Sequence, residues 1–127
     1  MVEETKCACG SANVAIFPCA GAANVGQLSN KIAVELDKQG LGNLMCTVGI
    51  GARAPGIMKS AEASDRIIAI NGCPVNCATK TMELAGFKVD RTIVISELGI
   101  KKTKDRDLKE EEVAEVLEKV MEILQSE

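Results

Sequence analysis

With 127 residues, 18 acidic against 15 basic side chains, a net charge of -3 and only 2% aromatics, the chain lacks what nucleic acid rewards, a basic surface with stacking rings. It has no histidine, so it cannot form a Cys-His or Ser-His nucleophile pair, and any soft-metal site must be built largely from its six cysteines. The length suits one domain whose core is Ile, Val, Leu, Ala and Met around Phe17 and Phe87, with neither disulfides nor metal needed as its main support.

The start, Met1-Val2-Glu3-Glu4-Thr5-Lys6, is charged and carries no apolar signal segment, and no stretch reaches the roughly 18 apolar residues of a membrane span. A cytoplasmic protein without membrane contact is expected, with a small molecule or a protein as its partner. In a reducing compartment clustered cysteines point to metal or catalysis rather than to a disulfide framework. Cys7-Ala8-Cys9-Gly10 is a Cys-x-Cys tip among small residues, and residues 1–12 are expected to be mobile. Its thiols are secondary candidates for metal ligation or for a resolving role, against the plain alternative of an incidental exposed pair.

Asn13-Val14-Ala15-Ile16-Phe17 predicts a buried first strand, closed by Pro18-Cys19-Ala20-Gly21. Val25, Leu28, Ile32 and Leu36 recur at spacings of three and four, which predicts a helix from Asn24 to Lys38 that stops near Gly40. Leu44-Met45-Cys46-Thr47-Val48 predicts a second strand, ended by Gly49-Ile50-Gly51-Ala52. Residues 54–64 are ambiguous, since Pro55 and Gly56 weaken a helix that Ile57 to Glu62 supports. The third strand is Arg66-Ile67-Ile68-Ala69-Ile70, leading into Asn71-Gly72-Cys73-Pro74-Val75-Asn76-Cys77. Pro74 lacks the N–H that a first helical residue leaves unpaired. This predicts a helix opening there, with Cys73 at its cap, Cys77 one turn on, and both thiols on a face where the helix's positive end favours thiolate. Val75, Ala78, Met82 and Ala85 carry it to Gly86, and Arg91-Thr92-Ile93-Val94-Ile95-Ser96 supplies a fourth strand. Residues 101–107 read as a solvated loop. Asp107 with Glu110 resembles a capping box, and Val113, Val116, Leu117, Val120 and Leu124 form the apolar stripe of a last helix.

Strands alternating with helices predict an α/β fold: a single three-layer domain over residues 1–127, with a four-stranded, mostly parallel sheet in the order 2-1-3-4 and helices on both faces. Open sheets of this kind bind ligands beyond the carboxyl ends of their strands. That edge is expected to carry sulfur, with Cys19 after strand one, Cys46 in strand two, and Cys73 and Cys77 after strand three. The four-residue spacing of the last pair is not the Cys-x-x-Cys of thioredoxin-like sites or zinc knuckles. The bland readings are that Cys73 only caps a helix, that Cys77 packs as a small hydrophobe, and that Cys46 is core.

Two resemblances bear on this edge. Phe17 through Gln27 resembles the phosphate loop of low-molecular-weight tyrosine phosphatases, in the order strand, thiol, glycine, helix. Those enzymes carry an arginine six residues after the cysteine, and Val25 stands there, so the resemblance implies a helix start able to hold an anion without phosphate-ester hydrolysis. More broadly, Cys7-Ala8-Cys9-Gly10, the run from Cys19 to Gly26, Cys46 with Gly49-Ile50-Gly51, and Gly72-Cys73-Pro74-Val75-Asn76-Cys77-Ala78 make nearly the whole chain resemble the DGC domain family of zinc-binding proteins, named after an Asp-Gly-Cys motif. The resemblance implies four chelating cysteines, by position Cys19, Cys46, Cys73 and Cys77, with zinc as the metal and a biological role not established. Asn71 stands where the family has Asp, which removes a charge or an acceptor beside the thiols. A cysteine-ligated metal-binding protein is therefore expected, structural if four thiolates close the site and open to Lewis-acid chemistry or thiol capture if only three do. The alternatives are a thiol-based redox or sulfur-transfer enzyme, with Cys73 as nucleophile and Cys77 or Cys19 as partner thiol, and a binding module for an anion or a protein.

Overall fold

The computed structural model describes residues 13–126. In chain order the elements are β1 (Val14–Pro18), α1 (Asn24–Lys38), β2 (Asn43–Leu44), α2 (Thr47–Gly51), α3 (Pro55–Glu62), β3 (Arg66–Asn71), α4 (Cys77–Leu84), β4 (Arg91–Val94) and α5 (Glu110–Gln125). The four strands form one sheet in the order β2-β1-β3-β4, and every neighbouring pair is parallel. The central pair runs in register from Val14 opposite Arg66 to Pro18 opposite Ile70. These two strands are continuous apolar runs because a parallel sheet is covered on both faces.

Side chains on successive residues of a strand point to opposite faces, and the core divides accordingly. Ile16, Ile68, Ile70 and Ile93 pack with Leu28, Ile32 and Leu36 of α1 and with Val116 and Val120 of α5. On the other face Ala15, Phe17 and Ile67 meet Ile50, Ala61 and Met82 from α2, α3 and α4. The predicted strand order and three-layer arrangement are those observed. Among the described residues, no helix is long and apolar enough to cross a membrane.

Several local expectations are corrected. The second strand is only Asn43–Leu44, and the run expected to continue it turns into α2, with Cys46 at the helix cap. Val48 is 80% exposed, so this segment lacks the burial that would hold it in the sheet, and the Thr47 hydroxyl instead donates to the Pro18 carbonyl at 2.8 Å. Residues 54–64 resolve in favour of a helix because Pro55 sits in its first turn, where proline is tolerated. The fourth strand ends at Val94 and passes into a 3-10 turn, Ile95–Leu98. The last helix starts at Glu110 with no side-chain capping bond, so the Asp107 capping box does not form. Its stripe is as expected, with Val116 and Val120 fully buried and Val113, Leu117 and Leu124 partly so.

Candidate functional site

β1 is followed by α1, which covers one face of the sheet, whereas the adjacent β3 is followed by α4, which covers the other. The crossovers therefore diverge between β1 and β3, and a crevice opens at the carboxyl ends of these two strands. Cys19 enters it directly after β1. Its backbone N–H donates to the Ile70 carbonyl at 2.8 Å, its carbonyl accepts from the Ser29 hydroxyl at 2.6 Å, and its Sγ accepts from the Gly21 N–H at 3.3 Å. The loop after β3 and the first turn of α1 touch backbone to backbone. A Cβ on Gly72 would lie 2.7 Å from the Gly26 nitrogen, and one on Gly26 would lie 2.7 Å from the Gly21 backbone, so only glycine fits at both places.

The loop after β3 is not the helix start expected at Pro74. The Asn76 N–H donates to the Cys73 carbonyl at 3.1 Å, which closes a turn with Pro74 at its second position, and α4 begins only at Cys77. Asn76 takes the left-handed conformation (φ 59°), which asparagine tolerates better than most residues, and its buried Oδ1 has no hydrogen-bond partner. Asn71 supplies the order that the helix cap does not. Fully buried, it accepts from the Ala78 and Thr79 N–H groups at 2.9 and 3.2 Å and donates to the Thr79 hydroxyl at 2.8 Å. Cys73 and Cys77 are thus placed by a turn and a buried amide, not by helical spacing.

Cys19, Cys73 and Cys77 all line one pocket of about 570 Å³. All three are free thiols, Cys19 and Cys73 half-buried and Cys77 exposed. Cys46, also free, is exposed at the cap of α2 and does not line the pocket. Cys7 and Cys9, and the mobility expected of residues 1–12, lie outside the described residues. Among the described residues no group of three or more cysteine, aspartate or glutamate side chains is gathered closely enough to hold a metal ion.

Part of the remaining lining comes from a segment read from sequence only as a solvated loop. Lys102, Lys104 and Arg106 line the pocket beside the thiols. Lys102 Nζ lies 3.6 Å from Cys73 Sγ and donates to it, and Arg106 donates to the Ala22 carbonyl at 3.1 Å. The segment is fixed by the first residue of α1: Asn24 Nδ2 donates to the Lys101 carbonyl at 2.9 Å, its Oδ1 accepts from the Thr103 N–H at 2.7 Å, and its own N–H donates to the Thr103 carbonyl at 3.0 Å. The sequence signal was the basic run Lys101-Lys102-Thr103-Lys104 itself. No local pattern says that Asn24 reaches across the chain to hold it.

The family model of the DGC domain matches residues 15–120, a span from β1 into α5 that includes the four described cysteines and the basic segment. The chain is similar to the anaerobic and virulence modulator AnvM of Pseudomonas aeruginosa, 30% identical over 92 residues that make up 72% of this chain and 70% of that protein. No solved structure matches the chain.

Proposed function

The chain belongs to the DGC domain family, and we propose that it binds a soft divalent metal ion, zinc best matching an all-sulfur donor set, through Cys19, Cys73 and Cys77. The observation that carries this reading is that thiols from two separate crossover loops line one pocket where those crossovers diverge. Coordination requires their side chains to turn toward a common point, since they are not gathered in this structure. Cys46, outside the lining, is the candidate for a fourth ligand, and three thiols without it leave one position open. Zinc bound in that way supplies Lewis-acid chemistry.

Elemental analysis of protein prepared under reducing, anaerobic conditions without added metal tests this. The expected result is a single metal per chain, lost in Cys19→Ser, Cys73→Ser and Cys77→Ser and kept in Cys46→Ser and in the Cys7→Ser/Cys9→Ser double variant. Loss in Cys46→Ser alone among the last two means a closed four-thiolate site, whereas loss in the double variant brings the N-terminal pair into it. Metal-free wild-type protein overturns the reading.

A thiol-exchange function is the second reading, favoured by the Lys102 ammonium at 3.6 Å from Cys73 Sγ. Cys73 thiolate attacks a substrate disulfide and expels one substrate thiolate, and Cys77 or Cys19 thiolate then attacks Cys73 Sγ of the mixed disulfide and expels the second, so the substrate gains the two electrons that the protein dithiol loses as it becomes a disulfide. Its signature is metal-free protein in which Cys73 alkylates far faster than the other thiols.

A further inference from the structure

A metal ion fills little of this pocket. Its volume, about 570 Å³, falls in the range of small-molecule sites, roughly 300–1,000 Å³, whereas a water occupies about 30 Å³. The charge of its wall is also at odds with that of the molecule. The chain is net negative at -3, yet Lys102, Lys104 and Arg106 line the pocket and, among the described residues, no aspartate or glutamate does. The segment that carries these cations is held in place, because the nearly buried Asn24 grips the backbone of Lys101 and Thr103 with three hydrogen bonds and Arg106 itself donates to the Ala22 carbonyl at 3.1 Å. Alanine and valine side chains, Ala22, Ala23, Val25 and Val75, supply an apolar remainder. At Val25, the position that carries the arginine of a phosphate loop, the chain is apolar, and the positive charge arrives from residues 102–106 instead.

We propose that the pocket takes a small organic anion, a carboxylate, sulfonate or phosphate ester, whose acidic group is held by Lys102, Lys104 and Arg106 and whose apolar body lies against Ala22, Val25 and Val75 within reach of the thiols. This deepens the proposed function, resting on the same pocket as its site while leaving open whether the thiols carry metal. A positively lined cleft concentrates anions near the group at its base, which places an anionic ligand next to Cys73 before any chemistry occurs.

The test compares two alkylating probes of nearly equal size, anionic iodoacetate and neutral iodoacetamide, on the 127-residue chain after chelator treatment and reduction, with modification read at each cysteine by mass spectrometry. Cys46, exposed and outside the pocket, is the internal reference. The expected result is an iodoacetate-to-iodoacetamide rate ratio about tenfold higher at Cys73 than at Cys46, falling to the Cys46 value in Lys102→Gln/Lys104→Gln/Arg106→Gln. The wild type gives the same answer without a variant. Raising ionic strength from about 0.01 M to about 1 M, which shortens the Debye length from about 30 Å to about 3 Å, should abolish the difference. Phenyl phosphate should then protect Cys73 at concentrations about tenfold lower than inorganic phosphate, because its ring gains apolar contact. Equal ratios at Cys73 and Cys46 overturn the anion site, and equal protection by the two phosphates overturns the organic body. Because the chain is metal-free throughout, failure here is distinguishable from failure of the metal reading, which elemental analysis decides.

Discussion

Asn71 occupies the position where the family carries aspartate, and its side chain faces the start of α4 and the edge strand rather than the pocket. One amide oxygen serves the Ala78 and Thr79 N–H groups, and the nitrogen serves the Thr79 hydroxyl at 2.8 Å and, more weakly, the Ile93 carbonyl at 3.4 Å. The substitution expected to change charge beside the thiols therefore acts on the joint between β3, α4 and β4. Asn71→Ala removes the acceptor for two helix-start donors and strands buried groups, so denaturant unfolding should show a loss of about 2–3 kcal/mol. Asn71→Asp keeps the acceptors but sets a carboxylate oxygen against the Ile93 carbonyl, and its loss should lie between wild type and alanine. An aspartate variant as unstable as the alanine one would show that the donors of this amide, not its acceptor, hold the joint.

At the scale of elements, the pocket is closed by a contact between α1 and the segment before α5. Asn24, with two bonds made through its side chain and one through its backbone, anchors that contact. Asn24→Ala deletes the two side-chain bonds and keeps the backbone one, so it should lower stability by about 1–2 kcal/mol. Amide hydrogen exchange in residues 101–106 should accelerate while that of β1 and β3 stays at the wild-type level. Uniform acceleration over the whole chain would mean that Asn24 supports the core and not the segment. Sequence periodicity was sufficient for α1 and α5, where long amphipathic stripes meet a buried partner. It failed at residues 44–48, since a short apolar run reads alike as a buried strand or as the exposed edge of a small helix.

For the molecule as a whole, the two hydrophobic clusters on either face of the sheet are mainly aliphatic, with Phe17 in one of them, and of the four described cysteines only Cys73 packs partly against a cluster. Removing metal from the proposed thiol site should therefore leave the far-UV circular dichroism unchanged. Thermal unfolding should fall only by the binding linkage, a few kcal/mol at metal concentrations far above Kd. Domains whose folding free energy is their metal-binding free energy unfold in chelator, and collapse of the helical signal on chelation would place this chain among them and make the site structural.

The sequence by itself determined the alternation of strands and helices, hence a parallel sheet, its strand order, and the arrival of Cys19 and Cys73 at one edge. Those follow from local apolar periodicity and from the need of parallel strands for crossovers. Only the tertiary structure decided which thiols share a pocket. Cys46, at the cap of α2 just past the carboxyl end of β2, lies outside the pocket lining, and Cys77 joins the lining through a turn at Pro74 that a buried amide, not helical spacing, organises. Only the tertiary structure, too, turned a solvated basic loop into a wall of the site. The bonds that hold this segment in place run from Asn24 to Lys101 and Thr103 and from Arg106 to the Ala22 carbonyl, and no local pattern encodes a contact between groups so distant in sequence.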